Sequence, residues 1–169
     1  MDVKNVLKSA LVGSLVAIAA GAIIGTGFYY INYMSGLGAL FAGLAGGVGA
    51  RSVLKEKAEG VEKLLLIVVI GTVAFLSIYF FMLAQAVSEL AVTDSEVSVM
   101  YGSNFFQVLF SLFQRPGMFV SFFQLFGSYM DVIFYGITLY GTFRIITPAP
   151  DVEEKKEPMS KNARGAKTS

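Results

Sequence analysis

Apolar residues in this chain gather into four blocks separated by short polar intervals. Residues 11–34 (LVGSLVAIAAGAIIGTGFYYINYM) carry no charge. The second block, residues 36–52, is Gly- and Ala-rich and meets its first charge only at Arg51. Residues 64–87 (LLLIVVIGTVAFLSIYFFMLAQAV) are the most uniformly apolar, and residues 118–146 form the fourth block. About 20 apolar residues, rising ~1.5 Å each, cross a ~30 Å hydrocarbon core. Each block therefore predicts a spanning helix. The second is close to the minimum length, and the fourth is long enough that it must tilt or protrude.

The expected fold is all-α, an integral membrane protein with four transmembrane helices inside residues 1–147. Residues 148–169 (PAPDVEEKKEPMSKNARGAKTS) are polar, mixed in charge and opened by proline. They read as a disordered cytoplasmic tail. The chain start has basic residues and a small-residue run, AIAAGA, that resembles a signal peptide. The apolar run continues well past those alanines, which favours an uncleaved first helix.

Charge sets the expected orientation. Lys4 and Lys8 precede the first block, and Arg51, Lys55, Lys57 and Lys63 lie between the second and third. Arg144, Lys155, Lys156, Lys161, Arg164 and Lys167 end the chain. With four crossings, twelve of the thirteen cations fall on one side and only Arg115 on the other. Cationic loops stay cytoplasmic, so both termini are expected there. Three crossings would separate the termini and spoil the pattern.

Between the third and fourth blocks lies an external segment containing SNFFQVLFSLFQ, residues 103–114, closed by Arg115-Pro116-Gly117. Asn104, Gln107, Ser111 and Gln114 recur at spacings of three and four and give one polar stripe. Twelve residues are too few to span. The segment reads as an interfacial helix with its Phe side toward lipid.

Small residues are also periodic. Ser9, Gly13, Ala17, Gly21 and Gly25 recur every four residues in the first block. The second block offers Ala39, Gly43 and Gly47 on one face and Ala42, Gly46 and Ala50 on another. Small residues four apart let helix backbones approach closely, the GxxxG mode of membrane packing. The first two helices are expected to form a hairpin turned at residues 34–36. The second should contact two neighbours, one of them a candidate second subunit. No Gly-Lys-Ser/Thr follows the glycines, which excludes a phosphate cradle.

In the fourth block Ser121, Gln124, Ser128, Asp131, Tyr135, Thr138 and Thr142 are spaced 3, 4, 3, 4, 3, 4. As one helix this is a continuous polar stripe centred on Asp131, with Phe, Leu, Ile and Val opposite. Such a face must meet protein or water. An acid at that depth costs roughly 2.5–3.5 kcal/mol on insertion scales and marks a functional candidate. Asp131 reads either as a binding group for a translocated proton, cation or substrate ammonium, or as interhelical hydrogen-bond glue. Thr72 and Ser77 of the third helix are its expected partners. Asn32, Gln85 and Gln124 are expected to line a polar vestibule nearer the outside.

Composition narrows the chemistry. Of 169 residues, 55% are hydrophobic and 15% charged, with a mean hydropathy of +0.67. An ordinary soluble domain is about a quarter charged. With no Cys and no His, disulfides, thiolate nucleophiles, Cys or His metal sites and His acid–base catalysis are excluded. The net charge of +1 argues against a nucleic-acid partner. One intramembrane aspartate does not make an aspartyl protease. Glu56, Glu59 and Glu62 alternate with lysines and read as a solvated face. No catalytic residue, metal or cofactor is expected.

The stretch GSLVAIAAGAIIGTGFYYINYMSGLGALFAGLAGGVGARS, residues 13–52, resembles a pattern in small prokaryotic multi-pass membrane proteins of unknown function. These have a Gly/Ala-rich hairpin, an aromatic at its turn, and Gly-Val-Gly-x-Arg closing the second helix. Here that motif is Gly47, Val48, Gly49, Ala50 and Arg51. The resemblance implies a prokaryotic inner membrane and no particular activity. Two functions are expected from the residues. One is a non-enzymatic accessory subunit or homo-oligomer that works by assembly in the bilayer with other membrane subunits or itself. The alternative is a small ion, proton or solute transporter or channel component using the stripe around Asp131.

Overall fold

A computed structural model describes residues 3–31, 36–54, 60–126 and 128–147. Among these the chain is all-helical. Its elements are α1 (Val3–Ile31), α2 (Gly36–Val53), α3 (Gly60–Thr93), α4 (Ser95–Tyr101), α5 (Phe105–Gln114), α6 (Pro116–Phe126) and α7 (Tyr129–Ile146). Two of them, α1 and α3, are long and apolar enough to cross a membrane. The expected turn at residues 34 and 35, Asn32, Glu56, Glu59 and the tail 148–169 lie outside the described residues.

α1, α2, α3 and α7 form a bundle that runs alternately up and down. Gly13, Gly21 and Gly25 of α1 meet Ile70, Ser77 and Ile78 of α3, so those helices are parallel. Gly49 of α2 abuts Val12 and Val16, while Gly38 abuts Ile24 and Phe28, so α2 is antiparallel to α1. Gly43 and Gly47 meet Thr138 and Ile145, so α7 runs with α2. Among the described residues α1 and α7 do not touch. They flank the α2–α3 pair on opposite sides.

Every small residue predicted on α1 is buried: Ser9, Gly13, Ala17, Gly21 and Gly25. The reason is distance. A Cβ built on Gly13 would stand 2.7 Å from Ile70 Cδ1 and 3.0 Å from the Gly46 carbonyl oxygen, and one on Gly46 would stand 2.6 Å from Ile70 Cγ2. Ile70 thus fills a notch cut by two glycines, at the centre of a core that includes Ala17, Ala42, Ala50, Leu66, Ala74 and Ile78. On α2 the two small faces are divided. Ala42, Gly46 and Ala50 turn to the α1–α3 side, and Gly43 and Gly47 lie on α7. Both expected neighbours of α2 are therefore elements of this chain, where a second subunit had been a candidate.

The fourth apolar block is the largest correction. It is two helices among the described residues, α6 ending at Phe126 and α7 beginning at Tyr129. Ser128 is extended (φ −128°, ψ 167°) and serves as N-cap of α7, while Asp131 at the third helical position accepts from the Ser128 backbone N–H at 2.5 Å. Ser-x-x-Asp before an apolar run is a helix-start signal, and here it begins α7 inside the apolar block.

The segment between α3 and α6 holds more structure than predicted. Asp94 caps α4 by accepting from the backbone N–H of Glu96 and Val97 at 2.8 and 3.3 Å. Gly102 leaves α4 at φ 104°, a left-handed conformation suited to glycine. Asn104 then caps α5 by accepting from Gln107 N–H. The predicted helix over 103–114 exists as α5, and one face of it is seated on protein. Val108 and Leu112 are buried with Leu83, Ala84 and Val87 of α3 in a second core.

Candidate functional site

The candidate site is the junction of α3 with the first turns of α7. Asp131 is held at both carboxylate oxygens: Oδ2 by the Ser128 backbone N–H, Oδ1 by the Tyr79 hydroxyl of α3. The N-terminal turn of a helix favours a negative charge by about 0.3–1 kcal/mol, more where partly buried. The same carboxylate thereby starts α7 and ties it to α3. Tyr79 is buried, and its ring lies 4.9 Å from that of Phe75. Phe75 in turn meets the Tyr135 ring at 5.4 Å.

One turn down, the Tyr135 and Thr72 hydroxyls share a hydrogen bond of 2.8 Å. Below that, Thr138 is buried and donates to its own helix at Phe134 O, 2.8 Å. Thr142 is buried and reaches across to the Gly43 carbonyl of α2 at 3.2 Å. Gly43 carries no side chain to intervene, and a Cβ there would strike the Thr138 backbone. Asp131, Tyr135, Thr138 and Thr142 therefore form one polar ladder facing α3 and α2, as their spacing predicts.

The upper half of the predicted stripe does not join them. Ser121 and Gln124 are exposed and belong to α6, a separate helix from α7. The expected partners also change. Thr72 bonds Tyr135, and Ser77 donates to Ala17 O and Ala74 O at 3.3 and 2.9 Å. The partner of Asp131 that sequence reasoning missed is Tyr79. The signal available was position: Tyr79 stands seven residues, two helical turns, beyond Thr72 on the same face of α3.

The expected vestibule residues separate as well. Gln85 belongs to a cluster at the top of α1 and α3, donating to Tyr30 Oη at 2.9 Å, while the Tyr29 hydroxyl donates to Glu89 at 2.8 Å. These bonds fasten the end of α1 to α3. They belong to the same interface that Gly13, Ala17, Gly21 and Gly25 build below. Of the packing residues predicted on α2, Ala39, Gly43 and Gly47 are all buried.

Among the described residues no three His, Cys, Asp or Glu side chains converge as a metal site. The ladder offers hydroxyls, one carboxylate and a backbone carbonyl, each engaged within α7 or between α7 and its neighbours. Comparison with protein-family models, with curated proteins and with solved structures returns no match for this chain.

Proposed function

We propose that this chain is an integral membrane protein of four crossings, α1, α2, α3 and α7, with both ends cytoplasmic, that works without catalysis by assembling with other membrane subunits or with itself. The observation that carries the reading concerns α1. Only 22% of its most apolar 18-residue window is buried inside the fold, against 50% for α3. A soluble protein buries such a helix, whereas this one turns Leu7, Leu11, Leu15, Ile18 and Ile23 outward. Its buried small residues fit α3 too closely for a removable leader, since loss of α1 would bare Ile70, Ser77 and Ile78.

The alternating run of α1, α2, α3 and α7 supports four crossings. Lys63 lies 4.9 Å over the Phe143 ring, and the Arg51 guanidinium donates to Ile145 O at 3.3 Å. Cations of α2 and α3 thus gather at the C-terminal end of α7, and cationic ends stay cytoplasmic in bacterial membranes. The resemblance of residues 13–52 to small prokaryotic multi-pass proteins is the ground for reading this membrane as a prokaryotic inner one. Assembly is favoured over transport because both Asp131 oxygens are engaged within the fold. The small-residue faces of α1 and α2 are spent inside the protomer, so assembly uses outward surfaces such as those of α5 and α6.

The chain has no cysteine, which makes topology directly testable. In spheroplasts, Ser103→Cys should react with an impermeant maleimide, while Ser52→Cys should react only after permeabilisation. Labelling of both from outside would overturn the four-crossing reading. A stable complex in mild detergent without solute flux in proteoliposomes supports assembly. Flux abolished by Asp131→Ala would establish the transport reading in its place.

A further inference from the structure

The bundle and the outer segment meet around a cleft of about 570 Å³. Ile18 of α1 and Val73, Leu76 and Phe80 of α3 form its floor, and Phe110 of α5 and Phe119 of α6 stand among its walls. Its volume falls within the roughly 300–1,000 Å³ of sites that hold an organic ligand. Ser77 brings the polar atom of the lining, and its hydroxyl is already bonded to Ala17 O and Ala74 O. An occupant must therefore be hydrocarbon where it touches the floor.

On the four-crossing reading, Ile18 and Val73 lie well inside the bilayer, so the cleft opens to lipid. Its floor runs from Val73 to Phe81, about 12 Å of helix, close to half of the ~30 Å hydrocarbon core. That length matches one leaflet. At the corner between α5 and α6, flanked in sequence by the wall residues Phe113 and Phe119, stands Arg115. It is the one cation on the outer side, and its guanidinium lies 5.4 Å from the Tyr101 ring centroid. It is exposed, and among the described residues no acidic side chain pairs with it.

We propose that this cleft holds one acyl chain of an anionic phospholipid of the outer leaflet, with the headgroup phosphate on Arg115. The acyl chain is equally at home in bulk lipid, so burial alone does not select it. Selection comes from ring contacts in the cleft and from the planar guanidinium, which pairs with phosphate in two parallel hydrogen bonds. The zwitterionic phospholipids compete for the hydrocarbon part but carry a headgroup ammonium that Arg115 disfavours.

Native mass spectrometry of the full chain in mild detergent tests this. The wild type should carry one phospholipid, enriched in anionic species over the source membrane. Leu76→Trp fills the floor, and it should lower occupancy about fivefold, the factor that losing roughly 1 kcal/mol produces. Phe110→Ala opens an exposed wall and should lower occupancy without touching either core, which covers the case that Leu76→Trp misfolds. Arg115→Gln should abolish the anionic preference and leave some lipid bound. A wild type that retains no lipid, or Phe110→Ala and a folded Leu76→Trp that retain as much as wild type, overturns the proposal. The inference rests on the membrane reading, and alkaline washing of membranes separates the two. Protein released by alkali defeats that reading itself, whereas protein retained in the membrane but free of lipid defeats the cleft alone.

Discussion

Where α2 meets α7, a Cβ on Gly43 would strike the backbone of Thr138. Where α5 and α6 meet α3, six phenylalanine rings stand around open space. Both regions join apolar helices, and only one closes. On the membrane reading, apolar side chains gain little by leaving one hydrocarbon surroundings for another, so helix association depends on van der Waals contact and interhelical hydrogen bonds. Glycine faces deliver that contact by bringing backbones together, and they bring carbonyls within reach of hydroxyls, as Thr142 with Gly43 shows. Large rings hold backbones apart and leave what they do not fill. The bundle should therefore be intolerant of added volume, and the outer segment tolerant of both addition and removal.

The largest effect is expected at Gly43. Leucine there must part α2 from α7 and break the Thr142 bond, at a cost of about 3 kcal/mol, the top of the usual range for overpacking. Denaturant or thermal unfolding in detergent, followed by circular dichroism, measures it. A loss under about 1 kcal/mol would mean that α2 and α7 are not in backbone contact, and the comparison would collapse. Next comes Asp131→Ala, which removes two acceptor contacts at once. Interhelical hydrogen bonds in membranes average about 0.6 kcal/mol with a maximum near 1.7, and a lost helix cap adds about 1, so the sum is about 2 kcal/mol. Asp131→Asn retains a carbonyl oxygen and should lose about half as much. Equal losses for Ala and Asn would show that the charge at the start of α7 matters more than the bonds.

Tyr79→Phe deletes one hydroxyl and keeps the ring against Phe75, so about 1 kcal/mol is expected. Combined with Asp131→Ala it should be non-additive, with a coupling of about 0.5 kcal/mol or more, because both changes remove the same bond. Full additivity would place the Tyr79 hydroxyl on another group.

Periodicity made the bundle readable. Spacing of four in Ser9, Gly13, Ala17, Gly21 and Gly25 identified a face before its partner was known, since only a helix puts those positions together. The partner is only half legible: Gly13 and Ala17 do meet Gly46 of α2, as the hairpin predicts. The rest of the stripe, Gly21 and Gly25, lies on α3, a pairing between residues some fifty apart that no local pattern encodes. The ladder on α7 was half readable for a related reason. Hydrophobicity is continuous through residues 118–146, and a block rule sees one helix there. The Ser128–Asp131 cap that divides it is a local hydrogen-bond signal, invisible to any average of polarity. Spacing alone makes Asp131 the midpoint of one face, whereas it stands in the first turn of α7. The outer helices were partly missed because Asp94, Gly102 and Asn104 punctuate the chain more finely than the apolar pattern.

The smallest effect, and the sharpest test of the contrast, belongs to Phe106. Its side chain is 78% exposed on α5, lines the cleft, and stacks only edge-on with Phe105 at 5.7 Å. Alanine there creates no enclosed cavity, because the space it vacates joins a cleft already open to the surroundings. The transfer cost of removing a ring from contact with lipid or detergent is small, since the solvent is hydrocarbon. Phe106→Ala should therefore shift unfolding by no more than about 0.5 kcal/mol, the range of ordinary surface changes. The same measurement used for Gly43→Leu applies. If the two variants lose comparable stability, α5 is bearing load through its aromatic face, and the outer segment is a third wall of the core. If Phe106→Ala is neutral while Gly43→Leu is severe, stability resides in the backbone contacts and the rings are free to serve as a surface.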